Sequence, residues 1–203
     1  MNYELYEKIL KCDFKELFEK KNYKYFDTGS YNLNIIGVRS TSYDRNVFDD
    51  LLVVTYKESR FNKDRFRIYP ITTEPGTYYL RNPLHFRGTA ILVPGQYCGC
   101  WKLGKHNGQY EALVQCAPVK VYRDNNKDDV YDLKPETVDF GVFGINIHRA
   151  SANNKTKYVD KYSAGCQVFD DPKNFNSFMD LCRKQRDLYG NKFTYTLITE
   201  DDL

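Results

Sequence analysis

Eight short runs of β-branched and aromatic residues lie one after another between positions 33 and 147, and this succession constrains the fold more than any other feature. Each run has four to six residues, the length of an ordinary strand. Turn-forming pairs such as Asn82-Pro83 and Asn107-Gly108 separate them. The runs are 33–38, 51–56, 66–69, 77–80, 89–93, 110–115, 119–122 and 142–147. The sequence therefore predicts a mainly β domain.

Two segments follow the helical period instead. Apolar residues recur every three or four positions over 3–21 and again over 172–188, which predicts an amphipathic helix at each place. Gly190 stands where a helix C-cap belongs, and a last strand is predicted for 193–198. No repeat or linker divides the chain. We expect an α+β fold in which an N-terminal helical segment, residues 1–30, precedes one domain, residues 31–203.

The charge pattern excludes several classes of partner. Thirty Lys and Arg against 27 Asp and Glu leave a net charge of +3, and the two signs are interspersed, which argues against nucleic acid and anionic membranes. The longest apolar runs are far shorter than the roughly 20 residues of a bilayer span. Residues 1–21 lack the apolar core of a signal peptide. We expect a monomer made in the cytoplasm, with its six cysteines reduced.

Two segments could suggest a metal, and neither fits. The first contains residues of zinc-binding type, Cys98, Cys100, His106 and Cys116. Their spacing matches no common zinc site. Residues 124–132 offer oxygens as a calcium loop does, but Asp129 replaces the glycine at its sixth position and Pro135 the acid at its twelfth. The sequence predicts neither a metal nor another cofactor.

A histidine and a cysteine carry the candidate chemistry. His148 ends the apolar run 141–147, and Ser163-Ala164-Gly165-Cys166 begins fifteen positions later. A strand end holds an imidazole rigidly, and a tight turn can present a thiol beside backbone N–H groups, which is what cysteine nucleophilic catalysis requires. The alternative is a small buried Cys166 and a His148 of purely structural role. Spacing alone leaves both open.

The same residues resemble a known active site. Ile147-His148, a spacer and Ser163-x-Gly165-Cys166 look like the signature of the L,D-transpeptidase catalytic domain, the YkuD-like superfamily. Residues 69–78 are similar to an upstream stretch of that family, at about the right distance. The region 34–197 also looks like uncharacterised bacteriophage proteins that carry the domain. The resemblance implies a β-sandwich or barrel with an N-terminal helix and one C-terminal helix.

The resemblance implies a role for each residue of the motif. Cys166 matches the nucleophile and His148 its general base, while the backbone carbonyl of Arg149 would orient the imidazole. Backbone N–H groups around Gly165 and Cys166 would form the oxyanion hole, and Ser163 would brace the turn. We also expect such a turn, beside an imidazole, to lower the pKa of the thiol below the roughly 8.5 of free cysteine.

The chain departs from the family at two positions. Ala164 stands where the family often has a histidine, and Val168 where it commonly has the arginine that binds a substrate carboxylate. Arg149 or Arg123 could replace that arginine.

Three further residues are candidate substrate contacts, His106, Tyr110 and Gln167. For His106 the favoured interpretation is a hairpin at Asn107-Gly108 with a surface imidazole, and a place in a substrate groove is the alternative.

The function implied is a cysteine enzyme that acts on peptidoglycan stem peptides through a thioacyl-enzyme. The phage-like appearance and the predicted absence of a signal peptide favour hydrolysis over transpeptidation, as in a phage lysis enzyme (endolysin) acting at the bacterial cell wall. One alternative is an inactive virion or wall-binding module, which the changes at Ala164 and Val168 support. The other is a cytosolic cysteine enzyme acting on an unrelated small amide.

Overall fold

The computed structural model describes residues 2–42, 44–58 and 63–203. The strands of this part of the chain are β1 Asn34–Arg39, β2 Asp50–Glu58, β3 Lys63–Thr72, β4 Thr89–Leu92, β5 Gly95–His106, β6 Tyr110–Gln115, β7 Val119–Asp124, β8 Asp139–Gly141, β9 Ile147–Arg149, β10 Gln167–Phe169 and β11 Phe193–Thr199. The helices are α1 Tyr3–Lys11, α2 Phe14–Lys20, α3 Thr77–Arg81 and α4 Pro172–Tyr189, with short 3-10 helices at Pro135–Thr137 and Glu200–Asp202.

Eight strands close into a barrel in the order β1-β11-β5-β6-β9-β10-β3-β2, and β4, β7 and β8 form a separate three-stranded sheet. Most neighbouring strands are antiparallel, but β1 pairs with β11, and β9 with β10, in parallel. The mainly β, α+β prediction is confirmed at this level. The β9–β10 pair matters for the site, because it sets the segments of His148 and Cys166 side by side.

The barrel interior and α4 share one core. Trp101 on β5 and Tyr195 on β11 are fully buried there, and the indole Nε1 of Trp101 donates a hydrogen bond to Ile145 O at 2.8 Å. Phe175 and Phe178 of α4 pack into the same core. Burying one such side chain contributes about 2–3 kcal/mol to the free energy of unfolding. The packing of α4 therefore stabilises the barrel domain.

The N-terminal segment packs on the outer side of β1 and β2. The buried residues of this second core are Leu5, Ile9, Phe14, Phe18, Ile36, Val38, Leu51, Val53 and Ile198. The single helix predicted for 3–21 is wrong, because Cys12 is extended and a new helix begins after it. The Asp13 carboxylate caps α2 by accepting hydrogen bonds from the N–H groups of Lys15 and Glu16, at 3.0 and 3.1 Å.

Two predicted strands are also wrong. Residues 77–80 lie in helix α3, whose first turn closes on Gly76 O and whose last residue, Arg81, is followed by the cap residue Asn82 and a proline. Residues 142–146 are irregular, because the N–H groups of Phe143 and Ile145 both donate to the side-chain oxygen of Gln115 instead of a neighbouring strand. His148 therefore lies in the middle of the short strand β9 rather than at the end of a long one.

The hairpin at Asn107-Gly108 is confirmed. Both residues have positive φ, 49° and 72°, as a two-residue turn of type I′ requires. It joins β6 to β5, a twelve-residue strand that was not predicted. Among the described helices, none has both the length and the apolar character needed to cross a membrane.

Candidate active site

The turn that carries Cys166 is fixed by its own side chains and by a close approach to β4. Ser163 Oγ donates to Cys166 O at 2.8 Å and accepts from Gly165 N at 3.1 Å. Gly165 has φ +120°, and a Cβ built on it would lie 2.0 Å from Ala90 O. Only glycine fits there. Ser163 thus braces the turn, in the position that the resemblance implies.

The upstream motif contacts this turn directly. Gly76 N donates to Ser163 O at 2.9 Å, and a Cβ on Gly76 would lie 2.1 Å from Asp160 O. Thr72 on β3 is the register partner of Val168 on β10. The two stretches that resemble the family, about ninety residues apart in sequence, therefore form one structural unit.

His148 is oriented by a backbone carbonyl. Its Nδ1 lies 2.9 Å from Arg149 O, and because a carbonyl can only accept, Nδ1 carries the proton and Nε2 keeps its lone pair. Tyr110 Oη donates to the same carbonyl at 3.1 Å and lies 3.3 Å from Nδ1. This is the tautomer that a general base requires.

Cys166 and His148 face the same cavity of about 730 Å³. The parallel register pairs Val168 with His148, and Cys166 precedes Val168 by two residues, so all three side chains project from one face. The Sγ of Cys166 accepts from Asn146 N and donates to Gly144 O, both at 3.4 Å. Within the described chain it makes no hydrogen bond to His148. Any transfer of the thiol proton to His148 would first break the hydrogen bond to Gly144 O.

Burial keeps both members of the pair neutral. It raises the pKa of the Cys166 thiol to about 11, against a smaller opposite effect of the Asn146 N–H. Burial likewise lowers the pKa of His148 to about 3, and neighbouring His106 adds to that shift. The expectation of a lowered thiol pKa is therefore wrong: at neutral pH the resting site is a thiol beside a neutral imidazole, and desolvation outweighs the donors of the turn.

His106 belongs to this site and is not a surface imidazole. Its ring stacks on that of His148, with centroids 4.0 Å apart and planes 19° apart. Its Nδ1 accepts from Asn146 Nδ2 at 3.1 Å, an orientation fixed because Asn146 Oδ1 accepts from Gln115 N. Burial lowers the pKa of His106.

Asn146 is the residue that sequence reasoning missed. Its backbone N–H contacts the Cys166 thiol and its amide holds His106. The signal available was a lone polar residue, Asn146, in the apolar run Gly-Ile-Asn-Ile-His.

Gln167 and Tyr110 do not line the cavity. The Gln167 side chain points into the barrel, fully buried, where it accepts from Tyr195 Oη at 2.7 Å and donates to Gly165 O at 3.3 Å. Its assignment as a substrate contact is wrong, because strand alternation turns it away from Cys166. Tyr110 supports His148 instead, with the Arg149 guanidinium 4.3 Å above its ring.

The oxyanion hole also differs from the expectation. The Gly165 N–H is bonded to Ser163 Oγ and cannot bind an oxyanion. The Cys166 N–H has no acceptor in the part of the chain that the structure describes and remains available.

Cations dominate the cavity wall. Arg87, Arg123 and Lys161 line it, against one carboxylate, Asp139. That carboxylate pairs with Arg87 at 2.9 Å and Arg123 at 3.2 Å. The excess of positive charge suits a substrate carboxylate. Of the two arginines considered for a substrate carboxylate, Arg123 lines the cavity and Arg149 does not.

The described residues contain no group of three or more His, Cys, Asp and Glu side chains arranged to hold a metal ion. No protein-family model, curated protein or solved structure matches the chain. The likeness to the L,D-transpeptidase domain therefore rests on the two motifs and on the contacts between them.

Proposed function

We propose that this chain is an L,D-transpeptidase-like cysteine enzyme that cleaves peptide bonds in peptidoglycan stem peptides at the bacterial cell wall, as a phage lysis enzyme does. The observation that carries the proposal is His148, held by the Arg149 carbonyl in the tautomer of a base and facing the same cavity as Cys166. The contact between the two motifs supports the family, and the cationic wall supports a substrate that bears carboxylates.

The proposed reaction begins from the neutral pair. As Cys166 Sγ attacks the substrate carbonyl carbon, its proton passes to His148 Nε2, and the Cys166 N–H binds the oxyanion. The C–N bond then breaks, His148 returns the proton to the leaving amine, and a thioester remains. Water, deprotonated by His148, releases the acid and the thiol. An amine in place of water would give a cross-link, and we favour water.

The test is incubation with purified muropeptides and mass analysis of the products. The wild type should yield fragments that together exceed the substrate by one water. Cys166→Ala and His148→Gln should lose at least about a hundredfold in rate, the usual contribution of a nucleophile or base. Cys98→Ala, which removes an exposed thiol, is the matched control and should retain full activity. The proposal would be contradicted if the wild type formed no fragments, or if Cys166→Ala, His148→Gln and Cys98→Ala all formed them at the same rate.

One observation favours a second candidate, an inactive wall-binding module. The thiol is hydrogen-bonded to Gly144 O rather than to His148. In such a module Cys166 serves packing, so Cys166→Ala should cost on the order of 1 kcal/mol of stability. Muropeptides would then bind to the wild type without turnover. In the enzyme, the same substitution should abolish turnover at little cost in Tm.

A further inference from the structure

A second cavity, of about 790 Å³, shares no lining residue with the active-site cavity. It is bounded by α1, by residues 40–42, 44 and 47–49, by residues 155–157 and by Asp170. We call it the acidic cavity. Five carboxyl side chains and three lysines line it, so acidic residues outnumber basic ones, the reverse of the active-site cavity.

Asp170 lines this cavity with one of its two carboxylate oxygens unsatisfied. It is only 3% exposed, and its Oδ1 has no hydrogen-bond donor among the described residues. Its Oδ2 lies 3.1 Å from the Nζ of Lys155, a side chain that is 61% exposed. Burial raises the pKa of Asp170, and Lys155 offsets this only in part. A buried carboxylate oxygen without a donor is costly, and a cationic donor is the group that satisfies it best.

The other two lysines of the cavity do not form an ion pair with Asp170. Lys8 is held by Glu200 at 2.7 Å and by Glu4 at 3.7 Å. Lys157 lies over the ring of Tyr158, 5.1 Å from its centroid.

The two cavities adjoin through a small apolar cluster, in which Cys166, a lining residue of the active-site cavity, packs with Val168. Asp170 follows Cys166 by four residues, so their Cα atoms are at most about 14 Å apart. Val168 packs with Phe48, which lines the acidic cavity. Val47, next to Phe48, forms an isolated β-bridge with Tyr158, which is 48% exposed.

We propose that the acidic cavity binds a primary ammonium group of the substrate, with Asp170 as its anchor. The inference rests on the proposed function, since the ligand it names is a stem peptide carrying both a carboxylate and a free amine. The carboxylate end lies in the active-site cavity, and the chain passes over the cluster of Val168 and Phe48 so that its ammonium reaches Asp170. Held by Asp170 in a cavity that shares no lining residue with that of Cys166, this amine is a recognition group and not the group that attacks a thioester.

The test uses Cys166→Ala, which cannot form the acyl-enzyme. Two probes are titrated by calorimetry: the stem tetrapeptide with lysine at its third position, and the same peptide with the lysine ε-amine acetylated. We expect acetylation to weaken binding about tenfold, as loss of one charge-assisted hydrogen bond does. With Asp170→Asn added, the two peptides should bind alike. Asp187→Asn, which removes an exposed carboxylate outside the cavity, should leave the tenfold difference intact.

Lys155→Met provides a variant with the opposite expectation. Because the Lys155 Nζ occupies Asp170 Oδ2, its removal should tighten binding of the free-amine peptide several-fold. Equal affinity of the two peptides for Cys166→Ala, or weaker binding after Lys155→Met, would overturn the inference.

A substrate-independent measurement separates this inference from the proposed function. Pentylammonium should shift the amide NMR signals of Asp170, Phe48 and Thr156 in the wild type, whereas pentanol should not, and Asp170→Asn should abolish the response. If neither peptide binds but pentylammonium does, the proposed function fails and the ammonium site stands. If pentylammonium acts no differently from pentanol, the site itself is refuted.

Discussion

Cys166 and His148 are each neutral in the resting site, and this determines how the thiol reacts with an external electrophile. With the pKa of Cys166 raised to about 11 by burial, the thiolate fraction at neutral pH is small and grows with pH. We expect the rate of Cys166 alkylation by iodoacetamide to rise about tenfold per pH unit from pH 6 to pH 9. Rates are measured by peptide mass analysis.

The background for this measurement is Cys98→Ala with Cys116→Ala, because both of these thiols are exposed and would otherwise consume the reagent first. His148→Gln should leave the slope unchanged, since a neutral imidazole does not hold a thiolate. A rate that is already constant below pH 7 would indicate a thiolate–imidazolium pair and contradict the neutral site.

The motif predicted the contact of His148 with the Arg149 carbonyl and the approach of His148 and Cys166 to one site, but not the residues around them. His106 reaches His148 because the β5–β6 hairpin ends beside β9, a pairing that no local pattern encodes. Gln167 was misassigned because adjacency to Cys166 suggested a contact, whereas strand alternation points it into the barrel toward Tyr195. Proximity in sequence and proximity in the site are different properties for these residues.

At the scale of elements, the turn that carries Cys166 depends on its close approach to β4. Gly165→Ala should destabilise the protein by more than about 2 kcal/mol, because the added Cβ meets Ala90 O in addition to straining a positive φ. Gly108→Ala is the matched control: its φ is +72°, and no atom lies within 4 Å of the added Cβ. It should cost only the conformational part, about 1 kcal/mol. Thermal unfolding of both variants measures the difference, and equal costs would show that the Ala90 contact is unimportant.

Elements were predictable where a local signal agreed with the tertiary structure. The Asn107-Gly108 turn and the Gly190 cap (φ 87°) are local, and both are confirmed. The strand predicted for 142–147 fails because its N–H groups are satisfied by Gln115, a residue distant in sequence. The twelve residues of β5 were overlooked because three glycines and several polar residues dilute their alternation.

At the scale of the whole molecule, buried charges at one end of the barrel hold the upstream motif in place. Asp50 accepts hydrogen bonds from Thr73 N and Thr73 Oγ1, at 2.6 and 2.8 Å, and Arg39 donates to Thr73 O at 3.0 Å. Thr73 lies three residues before Gly76, whose N–H holds the nucleophile turn. The position of Cys166 therefore depends on a charged cluster inside the barrel, and the ionisation of that cluster affects the stability of the whole fold.

Glu74 is the member of this cluster whose ionisation should be visible in unfolding. Burial raises its pKa to about 8, nearby Asp50 adds to the shift, and Arg39 opposes it. Since an unfolded glutamate titrates near 4.3, the folded state alone retains this proton between about pH 5 and pH 8, and its contribution to stability falls as pH rises.

Glu74→Gln replaces the titrating carboxyl group by an amide that stays neutral, so the variant escapes this loss of stability. The Tm of the variant minus that of the wild type should therefore increase from pH 5 to pH 8. We expect a change on the order of 1 kcal/mol, or roughly 2–4 °C. His148, whose pKa is lowered, contributes the opposite trend, and it cancels in the difference between two proteins that both contain it. Exposed Glu136→Gln is the control and should give a difference that does not change with pH. A Glu74→Gln difference that is constant or shrinks toward pH 8 would mean that Glu74 is ionised in the folded protein, with Arg39 outweighing burial and Asp50.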